Sequence, residues 1–547
     1  MAERGIRPVA AVLAPEESGS TGGAQRVPDP AGPGSPGRIR APALRRVWWV
    51  AVVVFCAQGG GLVAWSWHLW TRFDLSSDFA TYAQAWSRIG TGHLDPYETL
   101  FPWHYPHYGY PFFQSHFELV LWPLAMLRAV GLPPLTLLVV QDIAIAGAGA
   151  AAARLVLEVL DRHWPSRGDR PLRGVVPVAS CLVAVCVACP WSYWAASFDV
   201  HVQVLATALA LLAARDAWHG RRRTWLFAGG VLVCGDVATT YLVAVGLATV
   251  VVGRRRLVGA GFVVAAVAWL GVVALAHSGK GSSLAAGYGY LAGHTVGTGL
   301  AGVVAIVAGA LRHPEAPVRV LGARWRSVVQ YLAGSGLVGA LAPLGLAAAL
   351  VVTVPNALDA SGIFVSHVAG FQNLFPALAA SAGGAGVVTW VAHRRRASAS
   401  ARAVSGLLAA GALVAACVVA AQTLPTVRGQ FELVAAPTAA RLGVVAAETP
   451  RSAEVVATNA VVGRFACRRW VYPFLGNVPD QVVPVFGRTV VAVLVTRLRG
   501  EAPSVRLATT AAGRALGRLG ARVLVRGSGV AAFVWRPPVG TRSLVLP

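Results

Sequence analysis

The sequence predicts a polytopic α-helical membrane protein with about eleven crossings, followed by a small C-terminal α/β domain outside the membrane. Three observations carry this prediction. Hydrophobic residues make up 56% of the 547 and charged residues only 13%. With a mean hydropathy of +0.59, the chain is too apolar and too long for one soluble domain. Arginine clusters sit at the ends of the apolar segments, where signals of membrane orientation belong. After Thr423 the apolar runs shorten to strand length and charges return.

The balance of charge is +24, nearly all of it arginine, with Lys280 the only lysine. Strong basicity can mark nucleic-acid binding, but here the arginines sit where topology is set, so no nucleic-acid partner is expected. Seven cysteines include one CxxC pair, Cys186 and Cys189. Without a second pair, neither a disulfide framework nor a zinc site is predicted.

Residues 1–44 are rich in Pro, Gly, Ser and Glu and predict a disordered cytoplasmic tail. The transmembrane domain then covers 45–422. Arg38, Arg40, Arg45 and Arg46 precede the first apolar run, so Val47 to Trp70 crosses outward as a signal anchor. The outer loop 71–113 and the residues just beyond it gather Asp74, Asp78, Asp95, Glu98 and Glu118 with His93, His104, His107 and His116. Such a concentration at a membrane surface is costly unless it serves a function. Phe79, Tyr82, Trp86 and Ile89 recur at helical spacing, with Thr81, Gln84 and Arg88 opposite. They predict a short interfacial helix with Ser77 as its N-cap.

Further membrane segments are expected near 114–130, 134–157, 174–190, 200–217, 224–252, 257–277, 296–311, 327–353, 371–391 and 402–422. Arginine-rich joints at 215–223, 254–256, 312–326 and 394–396 are expected on the cytoplasmic side. They alternate with outer turns at 191–200, 235–240, 278–295 and 354–370, provided 224–252 is a hairpin. A cytoplasmic basic loop at 161–173 fits only if one of 114–130 and 134–157 is re-entrant or lies flat. Residues 423–547 hold sixteen Arg and five acids, a net of 16 − 5 = +11. The runs VVATNAV, RRWVYPF, VVAVLV, ARVLVR and AAFVWR predict strands, and 508–520 a helix ending in glycine. A basic extracytoplasmic domain suits phosphate groups or anionic polymers, a solvated surface being the alternative.

The runs SDFATYAQAW, GHLDPYETL, FQSHFELVLWPLAML and LLVVQDIAIAGA, then WAASFDVHVQ, CGDVATTYL and VPNALDASGIFVSHVAGFQNLFPALAA, resemble the DUF2079 family of bacterial membrane proteins. That family looks like the GT-C superfamily of lipid-linked-sugar glycosyltransferases. The resemblance implies a GT-C-like bundle in a bacterial plasma membrane, with a catalytic acid in the first outer loop. It also implies transfer of a sugar from a polyprenyl-phosphate donor to a cell-envelope acceptor on the outer face.

On that reading Asp78, with Asp74 in reserve, is the base that takes the acceptor's proton. The alternative for Asp78 is a helix cap. His116 with Glu118, and Asp199 with His201, lie two apart at outer helix ends and suit substrate hydroxyls or phosphate oxygens. Alternatively Glu118, Asp199 and His201 hold a divalent cation, Mg or Mn, bridging phosphates. Asp236, at the tip of the 224–252 hairpin, and Tyr82 join the substrate-binding set, while Asp142 suits a structural hydrogen bond. Trp103 and its aromatic neighbours suit stacking on sugar faces, or an interfacial belt. Rival readings are a transporter or flippase of lipid-linked glycans and a non-catalytic assembly protein. A transporter would place its indispensable acids mid-membrane, favouring Asp142 and Asp236.

Overall fold

The computed structural model describes residues 39, 41–100, 109–165, 174–253, 255–276, 283–293, 299–394 and 398–547. Most of the expected N-terminal tail and Trp103, His104, Tyr105, His107 and Tyr108 lie outside those residues. The chain is mostly helical. Six segments among the described residues are long and apolar enough to cross a membrane: Pro42–Arg72, Leu135–His163, Val175–Ser197, Arg256–Ala276, His367–Arg394 and Ala399–Phe431. The protein is therefore a multi-pass membrane protein.

The helices in order are α1 (Pro42–Arg72), α2 (Ser77–Ile89), the short α3 (Phe112–Ser115), α4 (Leu121–Ala129) and α5 (Leu135–His163). Next come α6 (Val175–Ala188), α7 (Pro190–Ser197), α8 (Gln203–Trp218), α9 (Thr224–Leu232), α10 (Asp236–Val252) and α11 (Arg256–Ala276). The bundle closes with α12 (Ser283–Ala292), α13 (Gly299–Arg312), α14 (Glu315–Gly334), α15 (Pro343–Ala348), α16 (Val354–Leu358), α17 (Gly370–Arg394) and α18 (Ala399–Phe431). Prolines set several boundaries by removing a backbone donor: Pro190 starts α7 where α6 stops, and Pro343 starts α15.

Two faces can be traced through these helices. At one, the Ala41 N–H donates to Asp161 at 3.0 Å, His219 pairs with Glu158 at 2.8 Å, and the His393 ring meets the His163 carbonyl. Arg154 and Arg215 converge on the same Glu158, tying α5 to α8. The opposite face gathers the C-terminal ends of α1, α7 and α18 and the N-terminal ends of α5, α8, α10 and α17; it carries the candidate site.

The tertiary structure corrects several expectations. In place of a crossing at 114–130 there is only the nine-residue α4, packed on α2, so α5 passes between the faces alone. The segment 224–252, by contrast, is divided at Gly235 into α9 and α10, as the hairpin reading expected. The 327–353 stretch is not a single crossing. Ser381, midway along α17, donates to the Ser335 carbonyl at 3.2 Å, and Gly339 packs against the Ala380 backbone. From there the chain returns to the site face at α16. Arg324 donates to the carbonyls of Ala357 and Ala360 at 2.8 and 3.0 Å. The basic joint 312–326 and the turn 354–370 therefore share a face, and α14 with α15–α16 forms a re-entrant pair. Charge bias misled here because Arg324 is spent on capping carbonyls rather than on facing the cytoplasm.

α18 runs unbroken to Phe431 through the boundary expected at 423. Beyond it lie α19 (Ala436–Glu448), β3 (Glu454–Thr458), β4 (Val471–Phe474), β5 (Gln481–Pro484), β6 (Val490–Val495), α20 (Pro503–Arg518), β7 (Arg522–Gly527), β8 (Val530–Trp535) and β9 (Ser543–Leu546). The short β1 (Tyr97–Glu98) and β2 (Tyr110–Pro111) pair in the first loop. The five-stranded sheet has order β4-β3-β6-β8-β7, and β3 runs parallel to both its neighbours. One face of this sheet shares a hydrophobic core with α2, α4 and α19; the other packs on α20. Apolar runs of strand length made five of these strands legible. β5, β9 and α19 were not foreseen.

Candidate active site

α2 sits at the junction of bundle and domain. Its N-cap is Ser76, not the expected Ser77: the Ser76 Oγ accepts from the Asp78 N–H at 3.2 Å. Nor is the helix an interfacial amphipath. Thr81 and Gln84, on its polar side, are buried. Gln84 donates to Thr99 at 3.0 Å and to the Arg468 carbonyl at 3.1 Å. The C-terminal domain covers the side that the sequence assigns to water.

Asp78 projects from the first turn of α2. Among the described residues nothing donates a hydrogen bond to its carboxylate. Burial, and then the neighbouring Asp199 anion, pushes its pKa up to about 7. Asp199 is held differently. Both its oxygens accept from the Ser76 N–H, at 3.3 and 3.2 Å, and Oδ2 also accepts from the Ser76 hydroxyl. Its negative charge thus lies at the positive end of the α2 dipole. Burial raises its pKa to about 6, against the pull of these hydrogen bonds.

The turn carrying Asp199 is clamped from below. Gln141, buried in α5, donates to the Asp199 carbonyl at 2.7 Å and accepts from the His201 N–H at 2.7 Å. The His201 ring stacks on Phe371 with centroids 3.6 Å apart and lies 5.9 Å from the Tyr82 ring. Burial holds its pKa down to about 3, so the ring is neutral.

Tyr82, one turn beyond Asp78, donates to Glu118 at 3.1 Å, and Gln203 reaches the same oxygen at 3.4 Å. The other oxygen of Glu118 and the Gln203 carbonyl oxygen are buried without a partner among the described residues. Burial, and then Asp236, pushes the Glu118 pKa well above the carboxylate range. His116 packs edge-on to Tyr82 at 5.7 Å and on Phe112 at 5.1 Å. Asp236 is exposed at the head of α10, close enough for its charge to act on both Glu118 and Tyr82.

Asp78, Tyr82, His116, Glu118, Asp199, His201 and Asp236 thus meet from four separate segments. Asp74 does not join them. Its Oδ1 accepts the N–H groups of Leu433 and Val434, both at 2.8 Å, so it brackets α1 to the start of the C-terminal domain. Trp103 lies outside the described residues, and Asp142 is buried in α5 beside Ser66. Gln141 and Gln203 were missed. Both are polar residues in apolar helices, the same costly placement that singled out Asp142, and that signal was available for them.

Each of the three residues named for a divalent cation has a partner within the protein. Asp199 is committed to Ser76 and Glu118 to Tyr82 and Gln203, while His201 lies flat on Phe371. Among the described residues no three His, Cys, Asp or Glu side chains are grouped to hold a metal ion.

Gly235 lets the α9–α10 break approach this cluster. Its φ of 112° is a conformation that residues with a side chain rarely adopt, and an added Cβ would lie 2.9 Å from the Glu118 Cγ. Gly235→Ala is expected to destabilise the fold by about 1–3 kcal/mol. A thermal melt of the purified protein checks this; an unchanged midpoint would refute it.

No protein-family model matches the chain, so the DUF2079 resemblance is not supported by one, and no curated relative matches it either. Among solved structures, the crystal structure of ArnT from Cupriavidus metallidurans bound to undecaprenyl phosphate is similar, with a TM-score of 0.42 and 14% identity. The match covers 88% of this chain and 97% of that one.

Proposed function

We propose that this protein is a membrane glycosyltransferase of GT-C type, moving a sugar from a polyprenyl-phosphate donor to a cell-envelope acceptor at the site face. The convergence of Asp78, Glu118, Asp199 and Asp236 around Tyr82 carries the reading. Asp78 is the base: a half-buried carboxylate with a pKa near neutrality and no donor among the described residues is suited to take a hydroxyl proton. Asp199 is the fixed anion that orients α2, the helix bearing Asp78. Glu118, Gln203 and Tyr82 form the polar group beside it, and one oxygen each of Glu118 and Gln203, without a partner among the described residues, is left to accept from a sugar or acceptor hydroxyl. No step is assigned to a metal ion.

The test is transfer of labelled sugar from polyprenyl-phosphate donors by the protein in lipid nanodiscs. Tyr82→Phe removes the hydroxyl that orients Glu118; it is expected to weaken kcat/KM about tenfold or more while the helix stays folded. Donor bound tightly without transfer or hydrolysis would overturn the enzymatic reading in favour of a scaffold. The transporter reading looks to Asp142, buried in a spanning helix. It predicts lipid-glycan translocation lost in Asp142→Asn and retained in Asp78→Asn.

A further inference from the structure

We propose that Gln141 is a positioning residue for Asp78, acting through the 199–201 turn that its amide holds. The inference rests on the reading of Asp78 as the base. Gln141 lies in α5, and its amide makes one contact with the last turns of α7 and two with the chain that follows it. Its Nε2 donates to the carbonyls of Ala195 at 3.3 Å and Asp199 at 2.7 Å, and its Oε1 accepts from the His201 N–H at 2.7 Å. Both ends of the amide are used, at a side chain fully shielded from water.

The turn needs such a clamp. Asp199 has a φ of 40°, in the left-handed region that L residues with side chains enter rarely and at a cost of about 1 kcal/mol or more. Held there, Asp199 delivers both carboxylate oxygens to Ser76, the N-cap whose Oγ in turn accepts from the Asp78 backbone. The hydrogen bonds therefore run without a gap from a spanning helix, through the turn, to the first turn of α2. The same amide fixes His201, whose ring faces Tyr82 on the next turn of α2. One side chain thus sets the two groups that flank Asp78 and Tyr82.

Displacement of a reacting group by about 1 Å can cost a hundredfold in rate. Gln141→Leu, similar in size but without the amide, is expected to lower kcat ten- to a hundredfold, with KM for the polyprenyl-phosphate sugar changed by less than about twofold. Amide hydrogen exchange at Ser76 and Asp78 should speed up in the same variant, a readout that needs no activity. Gln141 and Ser76 act in one chain of hydrogen bonds, so Gln141→Leu combined with Ser76→Ala should lose little more than the worse single variant.

Unchanged kcat with unchanged exchange, a rise in KM alone, or additive losses in the double variant would overturn the proposal. Should Gln141→Leu fold poorly, Gln141→Asn, one methylene too short to reach both partners, is judged by the same measurements. Asp78→Asn run in parallel separates the two failures. A fully active Asp78→Asn sinks the base reading, whereas an inactive Asp78→Asn beside a wild-type Gln141→Leu sinks only the role of Gln141.

Discussion

Asp78→Asn is expected to lower sugar transfer by about 10²- to 10⁴-fold, the range in which general bases contribute. The amide is nearly isosteric and removes only the capacity to accept a proton, so donor binding should survive. Wild-type activity should rise with pH through about 7, because burial and the Asp199 anion keep the Asp78 carboxyl protonated below that point. The charge that acts on this carboxyl is that of Asp199, from the turn before α8; Glu118, Asp78 and Asp236 act in turn on Tyr82, whose hydroxyl they and burial keep protonated.

The sign for stability is opposite to that for activity. A carboxyl whose pKa rises from 3.8 to about 7 on folding binds its proton more tightly in the native state. Its contribution is fully present below pH 3.8 and is lost as pH climbs through 7. Asp78→Asn should therefore unfold at a higher temperature than wild type at pH 8 and show little difference near pH 4. Wild-type transfer by Asp78→Asn, or a pH profile without an inflection near 7, would remove Asp78 from the mechanism.

Asp74→Leu is expected to loosen the C-terminal domain from the bundle. The substitution strips the half-buried N–H of Leu433 and the buried N–H of Val434 of their acceptor at once. Each orphaned donor costs about 1–3 kcal/mol. Asp74→Asn keeps an oxygen in place and should be nearly silent. Limited proteolysis between α18 and α19 reads this directly, with faster cleavage in the leucine variant alone. The same pair tests Asp74's reserve role as a base: Asp74→Asn that folds normally yet loses transfer would restore it to the chemistry.

The sequence by itself determined the medium and the ingredients. Long apolar segments flanked by arginines fix a membrane bundle, because apolar length and charge placement act locally and need no partner. The same economy made Asp78, Glu118, Asp199 and Asp236 visible, since acids near lipid are costly wherever they sit. Apolar runs of strand length such as VVAVLV and AAFVWR made the strands legible, because strands covered on both faces read as short, nearly continuous apolar stretches.

Only the tertiary structure decided the assignments among those acids. Asp74 and Asp78 lie four positions apart in one acidic loop, yet one brackets a domain and the other faces the cluster. Partners more than 350 residues away make that difference for Asp74. Thr81 and Gln84 mark a solvated helix face until a domain encoded at the other end of the chain buries it. Arg324 signals a cytoplasmic loop until its guanidinium is seen closing the carbonyls of a re-entrant turn. The physical reason is the same each time. A polar group's role is set by what satisfies its hydrogen bonds, and those partners are brought close by folding rather than by neighbourhood in the chain.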